Sequence, residues 1–301
     1  MEFDGVEHSY VQQAEQELQI GLPSCYTRPD SVDCWRHDRM LRSVLPLIEA
    51  FPQATWATIG DGRYGSDAFF LKRHGADVLA TSLTDSNLRI AQERGYIDKF
   101  QAENAERLSF KDGSFDFILC KESYHHFPRP AIAFYEMVRV TRVGIVLIEP
   151  IDGSLRLLDR GKDVVKRVLR GDRTSQFETS GNFLYRVNVR EIEKMMTAIA
   201  GAAVAIKRFN DFYHPRLALQ NSAGTTFGLL ATKAGIALQN ALCRAQLMNY
   251  GLGVIVVFRF RPPDSVEHVL QANGFRVIHL PQNPYLDPQG ALASECDDRP
   301  A

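Results

Sequence analysis

Short runs of hydrophobic residues alternate with amphipathic stretches between residues 55 and 148. Short apolar runs bounded by turn residues predict buried strands, whereas apolar positions three and four residues apart predict helices. The predicted strands of this region are Thr55–Ile59, Asp77–Leu83, Phe115–Cys120 and Gly144–Ile148. The predicted helices between them are Ser66–His74, Asn87–Arg94 and Pro130–Val140. Because strands and helices alternate, we predict an α/β fold with a doubly wound, mostly parallel sheet.

The pattern changes on both sides of this region. Before it, helical spacing at Val11–Ile20 and Val32–Ala50 predicts an N-terminal helical cap. After it come the predicted helices Ser154–Arg170, Val189–Ala200 and Asp264–Ala272 and the predicted strands Ala202–Phe209, Leu252–Phe260 and Phe275–Leu280. We therefore divide the chain into a cap at 1–51, a central domain at 52–260 with insertions at 151–186 and 215–250, and a C-terminal extension and tail at 261–301.

Composition narrows the class of protein without identifying its chemistry. The 301 residues are 45% hydrophobic and carry a net charge of −1, which is ordinary for a globular protein and lacks the basic excess of a nucleic-acid binder. The longest clean apolar run, Val254–Phe258, is far shorter than the ~20 residues of a membrane span. Five scattered cysteines indicate reduced thiols. We expect a cytoplasmic protein with no nucleic-acid partner and no membrane span. We also expect no metal site, because the sequence lacks the spacing of metal-binding His and Cys residues.

A glycine-rich turn stands between the first predicted strand and the helix that follows it. Gly60, Gly62 and Gly65 give this turn the spacing GxGxxG. Such a turn lets the backbone approach a cofactor closely, and both dinucleotides and S-adenosylmethionine bind in this context. An acid that holds the ribose hydroxyls is expected at the end of the next strand, but Ser82 stands there. The turn alone therefore leaves both cofactor classes open.

Three further motifs follow in order. Ala102–Phe110 leads into the strand Phe115–Cys120, the segment Glu122–Pro130 comes next, and Glu149-Pro150 ends the following strand. Together with the glycine turn, these motifs resemble the class I S-adenosylmethionine-dependent methyltransferases that act on small molecules. The resemblance covers residues 55–150 well and 186–260 loosely. It implies a Rossmann-like, seven-stranded sheet, S-adenosylmethionine as cofactor and methyl transfer as the reaction.

The resemblance also assigns cofactor contacts residue by residue. It implies that Gly60, Asp61 and Gly62 lie on the methionine and ribose side, and that Ser82 and Leu83 lie by the ribose and adenine. It places Asn104, Ala105 and Glu106 around the adenine amino group. Cys120, Lys121 and Glu122 would border the methionine end and the reacting methyl group.

Two positions depart from the family pattern. Thr58 stands where the family has an acid before the first glycine, and Ser82 replaces the ribose-binding acid. Lost carboxylates remove charge-assisted hydrogen bonds, which are about twice as strong as neutral ones. Two alternatives therefore stay open: an NAD(P)-dependent Rossmann oxidoreductase and a non-catalytic, methyltransferase-like binding protein.

The candidate catalytic residues are His125, His126 and Glu149. A hydroxyl acceptor needs a proton acceptor, and a histidine pKa near about 6.5 suits that task. His125 follows a strand at the carboxyl edge where open α/β sheets bind ligands. His126 is a second candidate, although adjacent side chains are expected to point in different directions. Glu149 could orient a histidine or a substrate hydroxyl.

The acceptor is the least defined part of the prediction. A weaker similarity of residues 181–214 to methyltransferases of surface-polysaccharide gene clusters favours a sugar hydroxyl or another small polar acceptor. The cap residues that are candidates to close over the site are Tyr26, Arg28, Trp35 and Arg36. The residues predicted to line a glycan site are Asn182, Tyr185, Asn210, Tyr213 and His214. A basic stretch at 156–173 could face an acidic substrate, and the apolar stretch 216–248 could form a homodimer face or a buried helical pair.

Overall fold

An eight-stranded sheet with the strand order β3-β2-β1-β4-β5-β7-β6-β8 forms the centre of the computed structural model. The structure describes residues 4–153, 177–178 and 180–283. The strands are β1 (Thr55–Thr58), β2 (Asp77–Ser82), β3 (Lys99–Ala102), β4 (Phe115–Lys121), β5 (Thr141–Pro150), β6 (Ala203–Phe209), β7 (Leu252–Phe258) and β8 (Arg276–His279). The predicted α/β Rossmann-like fold is confirmed.

The strand directions place a crevice next to β1. Strands β1 to β5 pair in parallel, with Trp56 opposite Val78 of β2 and Phe117 of β4. Strand β7 is antiparallel to both β5 and β6, and β8 is antiparallel to β6. From β1 the chain adds β2 and then β3 on one side of the sheet, and it adds β4 and then β5 on the other side. Open α/β sheets bind ligands at such a reversal, outside the carboxyl ends of the strands.

Helices cover the sheet and the crevice. The helices of the described residues are α1 (Asp4–Leu18), α2 (Ser24–Thr27), α3 (Val32–Leu41), α4 (Leu45–Ala50), α5 (Ser66–Arg73), α6 (Ser86–Glu93), α7 (Pro130–Val140), α8 (Val189–Ala198), α9 (Pro215–Ala218), α10 (Phe227–Arg244) and α11 (Asp264–Ala272). Local chemistry sets several of their starts. Ser31 caps α3 by accepting a hydrogen bond from the Cys34 amide, and Pro130 occupies the first turn of α7. None of these helices is long and apolar enough to cross a bilayer.

Two hydrophobic cores lie on opposite faces of the sheet. Trp56, Phe117 and Leu119 belong to one core, whereas their neighbours Ala57 and Ile118 belong to the other. Successive side chains of a strand point to opposite faces, so a continuous apolar run serves both cores. This arrangement makes the central strands a rigid base for the residues that follow them.

The C-terminal extension adds a strand to the seven that the family resemblance implies. Strand β8 pairs with β6, and Leu270 and Phe275 of the extension are buried in the same core as Trp56. The extension therefore forms part of the same folded unit as the central domain. The predicted helix 154–170, the basic stretch 156–173 and residues 284–301 of the C-terminal extension and tail lie outside the described residues.

Candidate functional site

A cavity of about 520 Å³ opens at the carboxyl ends of β1, β2 and β4, beneath α1. A volume of this size is ordinary for a small-molecule site. The predicted site residues that line it are Gly60, Asp61, Gly62, Ser82, Leu83, Ala105, Lys121, Glu122, His125 and His126. The sheet therefore brings ten of the predicted residues, from four separate segments of the chain, to one surface.

The glycine turn is shaped by close backbone contacts. Gly60 has a φ of +75°, and a Cβ there would lie 2.6 Å from the Cβ of Ser123. A Cβ on Gly62 would lie 2.7 Å from Cδ of Glu17 and 2.8 Å from Oγ of Ser82. Neither position has room for a side chain. Glycine is therefore required by the protein's own packing as well as by the approach of a ligand.

The Asp61 side chain holds the turn against helix α5. Its carboxylate accepts hydrogen bonds from Oγ1 of Thr58 (3.1 Å) and from the amides of Asp67 (3.2 Å) and Ala68 (2.9 Å). Burial, followed by the nearby charge of Asp67, raises the pKa of Asp61. Thr58 replaces an acid of the family pattern, and the structure places the Asp61 carboxylate directly beside it. A carboxylate therefore lies beside position 58, and three hydrogen bonds from the protein hold it there.

The end of β2 meets helix α1. Ser82 Oγ donates a hydrogen bond to Oε2 of Glu17 (2.9 Å), and Thr84 Oγ1 donates to Oε1 of the same carboxylate (2.8 Å). Glu17 is buried, and this burial raises its pKa. The predicted ribose wall therefore contains a carboxylate after all, although it comes from the cap and not from β2.

Of the three residues predicted around the adenine amino group, only Ala105 lines the cavity. Asn104 Oδ1 accepts a hydrogen bond from the amide of Glu106 at 2.9 Å and so closes a local turn. The Glu106 carboxylate accepts from the amide of Arg129 at 2.6 Å and pairs with its guanidinium. Asn104 and Glu106 are therefore occupied in holding the loop, which differs from the contacts predicted for them.

The residues after β4 form a charged wall. Lys121 Nζ lies 2.7 Å from Oε2 of Glu122 and 3.7 Å from Oδ1 of Asp67, and His37 Nδ1 lies 3.4 Å from the same Glu122 oxygen. Burial opposes ionisation, but Lys121 and His37 outweigh it and hold the pKa of Glu122 well below its usual range. Glu122 has a φ of +51°, an uncommon conformation for this residue type. Cys120 is buried in the sheet and does not line the cavity, contrary to its predicted place.

Glu149 is fully buried behind the cavity and holds the segment after β4. Its Oε1 accepts hydrogen bonds from the amides of Ser123 (2.8 Å) and Tyr124 (2.9 Å). Its Oε2 lies 2.6 Å from Nδ1 of His125. Burial lowers the pKa of His125, but the hydrogen bond to Glu149 and its charge outweigh this effect, so the pKa is raised. Glu149 itself does not line the cavity, and its side chain contacts His125, which does.

His126 also lines the cavity, contrary to the expectation that it points elsewhere. Residues 124–126 form a single 3₁₀ turn, and the rings of His125 and His126 lie 3.9 Å apart between centroids. The Nδ1 atom of His126 lies 2.7 Å from Oε1 of Glu178. Each histidine is therefore paired with its own carboxylate.

Sequence reasoning missed the contribution of the cap. Tyr10, Gln13 and Glu17 of α1 line the cavity, as do His37 of α3 and Glu103 after β3. The spacing of Tyr10, Gln13 and Glu17 places them on one helical face, which is the signal that could have identified them. None of the predicted closing residues Tyr26, Arg28, Trp35 and Arg36 lines this cavity. The residues of the predicted glycan set do not line it either: Asn182, Tyr185, Asn210, Tyr213 and His214.

Among the described residues, no three His, Cys, Asp or Glu side chains form a group that could hold a metal ion.

Comparison with known proteins identifies the central region. A family model described as a methyltransferase domain matches residues 58–148. The chain is 32% identical over 100 residues to 2-methyl-6-phytyl-1,4-hydroquinone methyltransferase from Synechocystis, a match that covers 32% of this chain and 31% of that protein. The matched segment thus spans about a third of the curated relative's length.

Two solved structures resemble the fold. The YcgJ protein of Bacillus subtilis matches with a TM-score of 0.51 and 19% identity, covering 74% of this chain and 99% of that one. Magnesium protoporphyrin IX methyltransferase from Synechocystis was solved with bound S-adenosylhomocysteine (SAH). It matches with a TM-score of 0.46 and 14% identity, covering 82% of this chain and 93% of that one. At 19% identity the likeness to the YcgJ protein is one of fold.

The residues of the cavity fit an adenosyl cofactor. Gly62 leaves backbone without a side chain beside Ser82, where the buried carboxylate of Glu17 offers acceptor oxygens at the predicted ribose position. The charged side chains of Lys121 and Glu122 lie at the predicted methionine end. The family match favours the methyltransferase hypothesis over the nicotinamide-dependent one. Residues 58–148 of this chain therefore form a methyltransferase domain, and S-adenosylmethionine is the cofactor that this match indicates.

Proposed function

We propose that the chain transfers a methyl group from S-adenosylmethionine to a hydroxyl oxygen of a small polar acceptor, with His125 as the general base. The observation that carries this proposal is the 2.6 Å contact between Nδ1 of His125 and Oε2 of Glu149 at the wall of the cavity. A base held by a buried carboxylate is a common way to fix both the tautomer and the orientation of a histidine.

The cofactor would supply a methyl group activated by its positive sulfur. The residues of the chain would hold the acceptor hydroxyl and remove its proton. When Nδ1 of His125 donates to Glu149, the lone pair of Nε2 is available to accept that proton. The resulting imidazolium would then be stabilised by the Glu149 carboxylate. The two backbone hydrogen bonds to Glu149 keep this carboxylate in place, so the base is oriented before the acceptor binds.

The proposed acceptor is an alcohol. The sequence similarity of residues 181–214 favours a sugar hydroxyl, and we retain a sugar or another small polar alcohol as the proposed acceptor. The hydroquinone in the name of the curated relative gives a second candidate class, a phenolic acceptor. Phe69, Phe70 and Phe127 line the cavity and would suit an aromatic ring.

Calorimetry separates the cofactor hypotheses. Titration with S-adenosylhomocysteine (SAH) and with NADH should give binding of SAH alone. Binding of NADH without SAH would overturn the proposed function. A panel of sugar alcohols and hydroquinones, assayed for SAH release with S-adenosylmethionine present, would then identify the acceptor class. A chain that binds SAH but releases none with any acceptor would support the non-catalytic alternative.

We also infer that the protein is a cytoplasmic homodimer. The support for the dimer is the apolar side of α10, where Phe227, Leu230 and Leu238 are exposed. The scattered cysteines support a reducing compartment. Sedimentation of the wild type and of Leu238→Glu tests the dimer, because a charge on this face should shift the protein to the monomer. A monomeric wild type would contradict it.

A further inference from the structure

We infer that Glu17, on helix α1 of the cap, supplies the carboxylate that accepts the ribose hydroxyls of the cofactor. This inference rests on the proposed function, because it concerns the same adenosyl ligand. Rossmann-like sites commonly place such an acid at the end of the second strand. Here that position is Ser82, and the buried carboxylate beside it belongs to a residue 65 positions earlier in the chain.

The position of Glu17 is fixed by contacts with three residues. Its carboxylate accepts from the hydroxyls of Ser82 and Thr84, and its backbone oxygen accepts from Nδ2 of Asn87 at 2.7 Å. The same Asn87 amide donates to the backbone oxygen of Gly62 at 3.1 Å. A single asparagine thus ties α1 to the glycine turn. The carboxylate is held where the turn, the end of β2 and the cavity meet.

The Glu17 carboxylate has acceptor capacity left for a ligand. An ionised carboxylate offers about four lone-pair sites. The hydroxyls of Ser82 and Thr84 use one on each oxygen, and the Thr84 backbone adds a further hydrogen bond, so acceptor capacity is left. Among the described residues, these partners are neutral groups and not a lysine or an arginine. A buried carboxylate without a cation costs free energy in the ligand-free protein. Two ribose hydroxyls would supply the donors that this carboxylate lacks.

The other acids near this end of the cavity are already occupied. Glu103 accepts from the amide and the hydroxyl of Ser109 and from the side chain of Gln101. Asp85 forms an ion pair with Arg89. Of these acids, Glu17 is the one whose carboxylate lies against both Gly62 and Ser82 at the predicted ribose wall.

Binding of SAH and of its 2′-deoxy analogue tests the assignment. Wild type should bind SAH more tightly than the analogue. Glu17→Gln should lose about tenfold to a hundredfold in SAH affinity, as expected for hydrogen bonds to a charged group, and should no longer discriminate between the two ligands. Glu15→Gln is the matched control, because Glu15 lies exposed on the same helix and does not line the cavity. Its affinities should equal those of the wild type.

Restoring the acid on β2 gives a second test. In Glu17→Gln/Ser82→Asp the carboxylate returns to the strand, so part of the ribose preference should return. Glu17→Asp keeps the charge but shortens the side chain, and it serves if Glu17→Gln fails to fold. A folded Glu17 variant with wild-type SAH affinity and full ribose preference would overturn the inference. A wild type that binds no SAH at all would instead overturn the proposed function.

Discussion

At the residue scale, one carboxylate organises the proposed catalytic wall. Glu149 fixes two backbone amides through one oxygen and His125 through the other. The residue is 0% exposed, so water does not compete for these hydrogen bonds. His125 consequently has a defined orientation, whereas His126 is paired with the more exposed Glu178. This difference makes His125 the better candidate base and leads to two predictions.

Replacement of His125 should separate binding from chemistry. His125→Ala removes the proton acceptor but leaves the glycine turn and the β2 end intact, so SAH affinity should stay within about twofold. Turnover should fall by about 10²–10⁴-fold, the usual contribution of a general base. Calorimetry and a rate assay on the same preparation check both values. Full turnover in this variant would reject the assignment, and His126→Ala provides the comparison for the neighbouring ring.

The pH dependence should report the raised pKa of His125. A general base must be neutral, so kcat/KM should fall as the pH drops below the pKa of His125. This pKa lies above the ordinary histidine value of about 6.5. In Glu149→Gln the charge is lost, so this acid limb should move to lower pH. The amide would also donate to Nδ1 and leave the proton on Nε2, which lowers the rate at every pH.

Glu178→Gln is the control for this profile. Glu178 is a weaker contributor to the raised pKa of His125 than Glu149. Its replacement should therefore move the acid limb less than Glu149→Gln does. An equal shift in both variants would contradict the specific role of Glu149.

At the scale of elements, Asp116 of β4 links three neighbouring strands. Its carboxylate accepts from the amide (2.8 Å) and hydroxyl (3.0 Å) of Thr55 in β1 and from Nε of Arg142 in β5 (2.8 Å). These contacts lie at the end of the sheet opposite the cavity. The hydrogen bond from Arg142, opposed by burial, lowers the pKa of Asp116.

This link should make stability depend on pH. Because the folded-state pKa of Asp116 is depressed, its contribution is present above the unfolded value of about 3.9 and is lost as the pH falls through the folded pKa. Asp116→Asn should cost about 1–2 kcal/mol in urea unfolding at pH 7, and the difference from wild type should shrink below about pH 4. Asp112→Asn removes an exposed partner of Arg139 and should cost less than about 1 kcal/mol. A constant difference at all pH values would contradict this account.

Most elements of the sheet were predictable because their apolar patterns are local. The predicted helix Pro130–Val140 and the predicted helix Asp264–Ala272 agree with the observed bounds. Strand β3 was not predicted, because its four residues are largely exposed and carry no apolar alternation. Only pairing with β2 makes this segment a strand. The orientation of His126 was also not predictable from the sequence. It depends on a 3₁₀ turn at residues 124–126, and two adjacent histidines do not predict such a turn.

At the scale of the whole molecule, the C-terminal extension completes the core. Leu270 of α11 is 0% exposed and lies in the core that also contains Trp56. Removal of a buried leucine side chain costs the lost burial and leaves a cavity. The extension should therefore be needed for stability, although it lies outside the segment that matches the methyltransferase family.

Truncation of Leu270 tests whether helix α11 is needed for stability. Leu270→Ala should lower the free energy of unfolding by about 2–5 kcal/mol. Val269→Ala is the control on the same helix, because Val269 is 38% exposed and its truncation should cost much less. Denaturant titrations of both variants give the comparison. Equal costs would show that α11 packs more loosely than the structure describes.

The candidate site was only partly predictable, because it depends on contacts between distant segments. The glycine turn and the residues after β4 are signalled by local motifs. The contact between Glu17 and Ser82 joins residues 65 positions apart and leaves no local pattern. The substitution of Ser82 for an acid therefore suggested a weakened cofactor site, whereas the fold brings another carboxylate to the same place.

The strand order also determines how copies of this protein can meet. The two outermost strands, β3 and β8, have four residues each, and Lys99, Arg276 and His279 on them are exposed. Short, charged edge strands offer a poor template for further strand pairing. The sheet is thus protected against edge-to-edge aggregation on both sides. Concentrated protein should resist growth into fibrils, and any self-association is directed to helical surfaces.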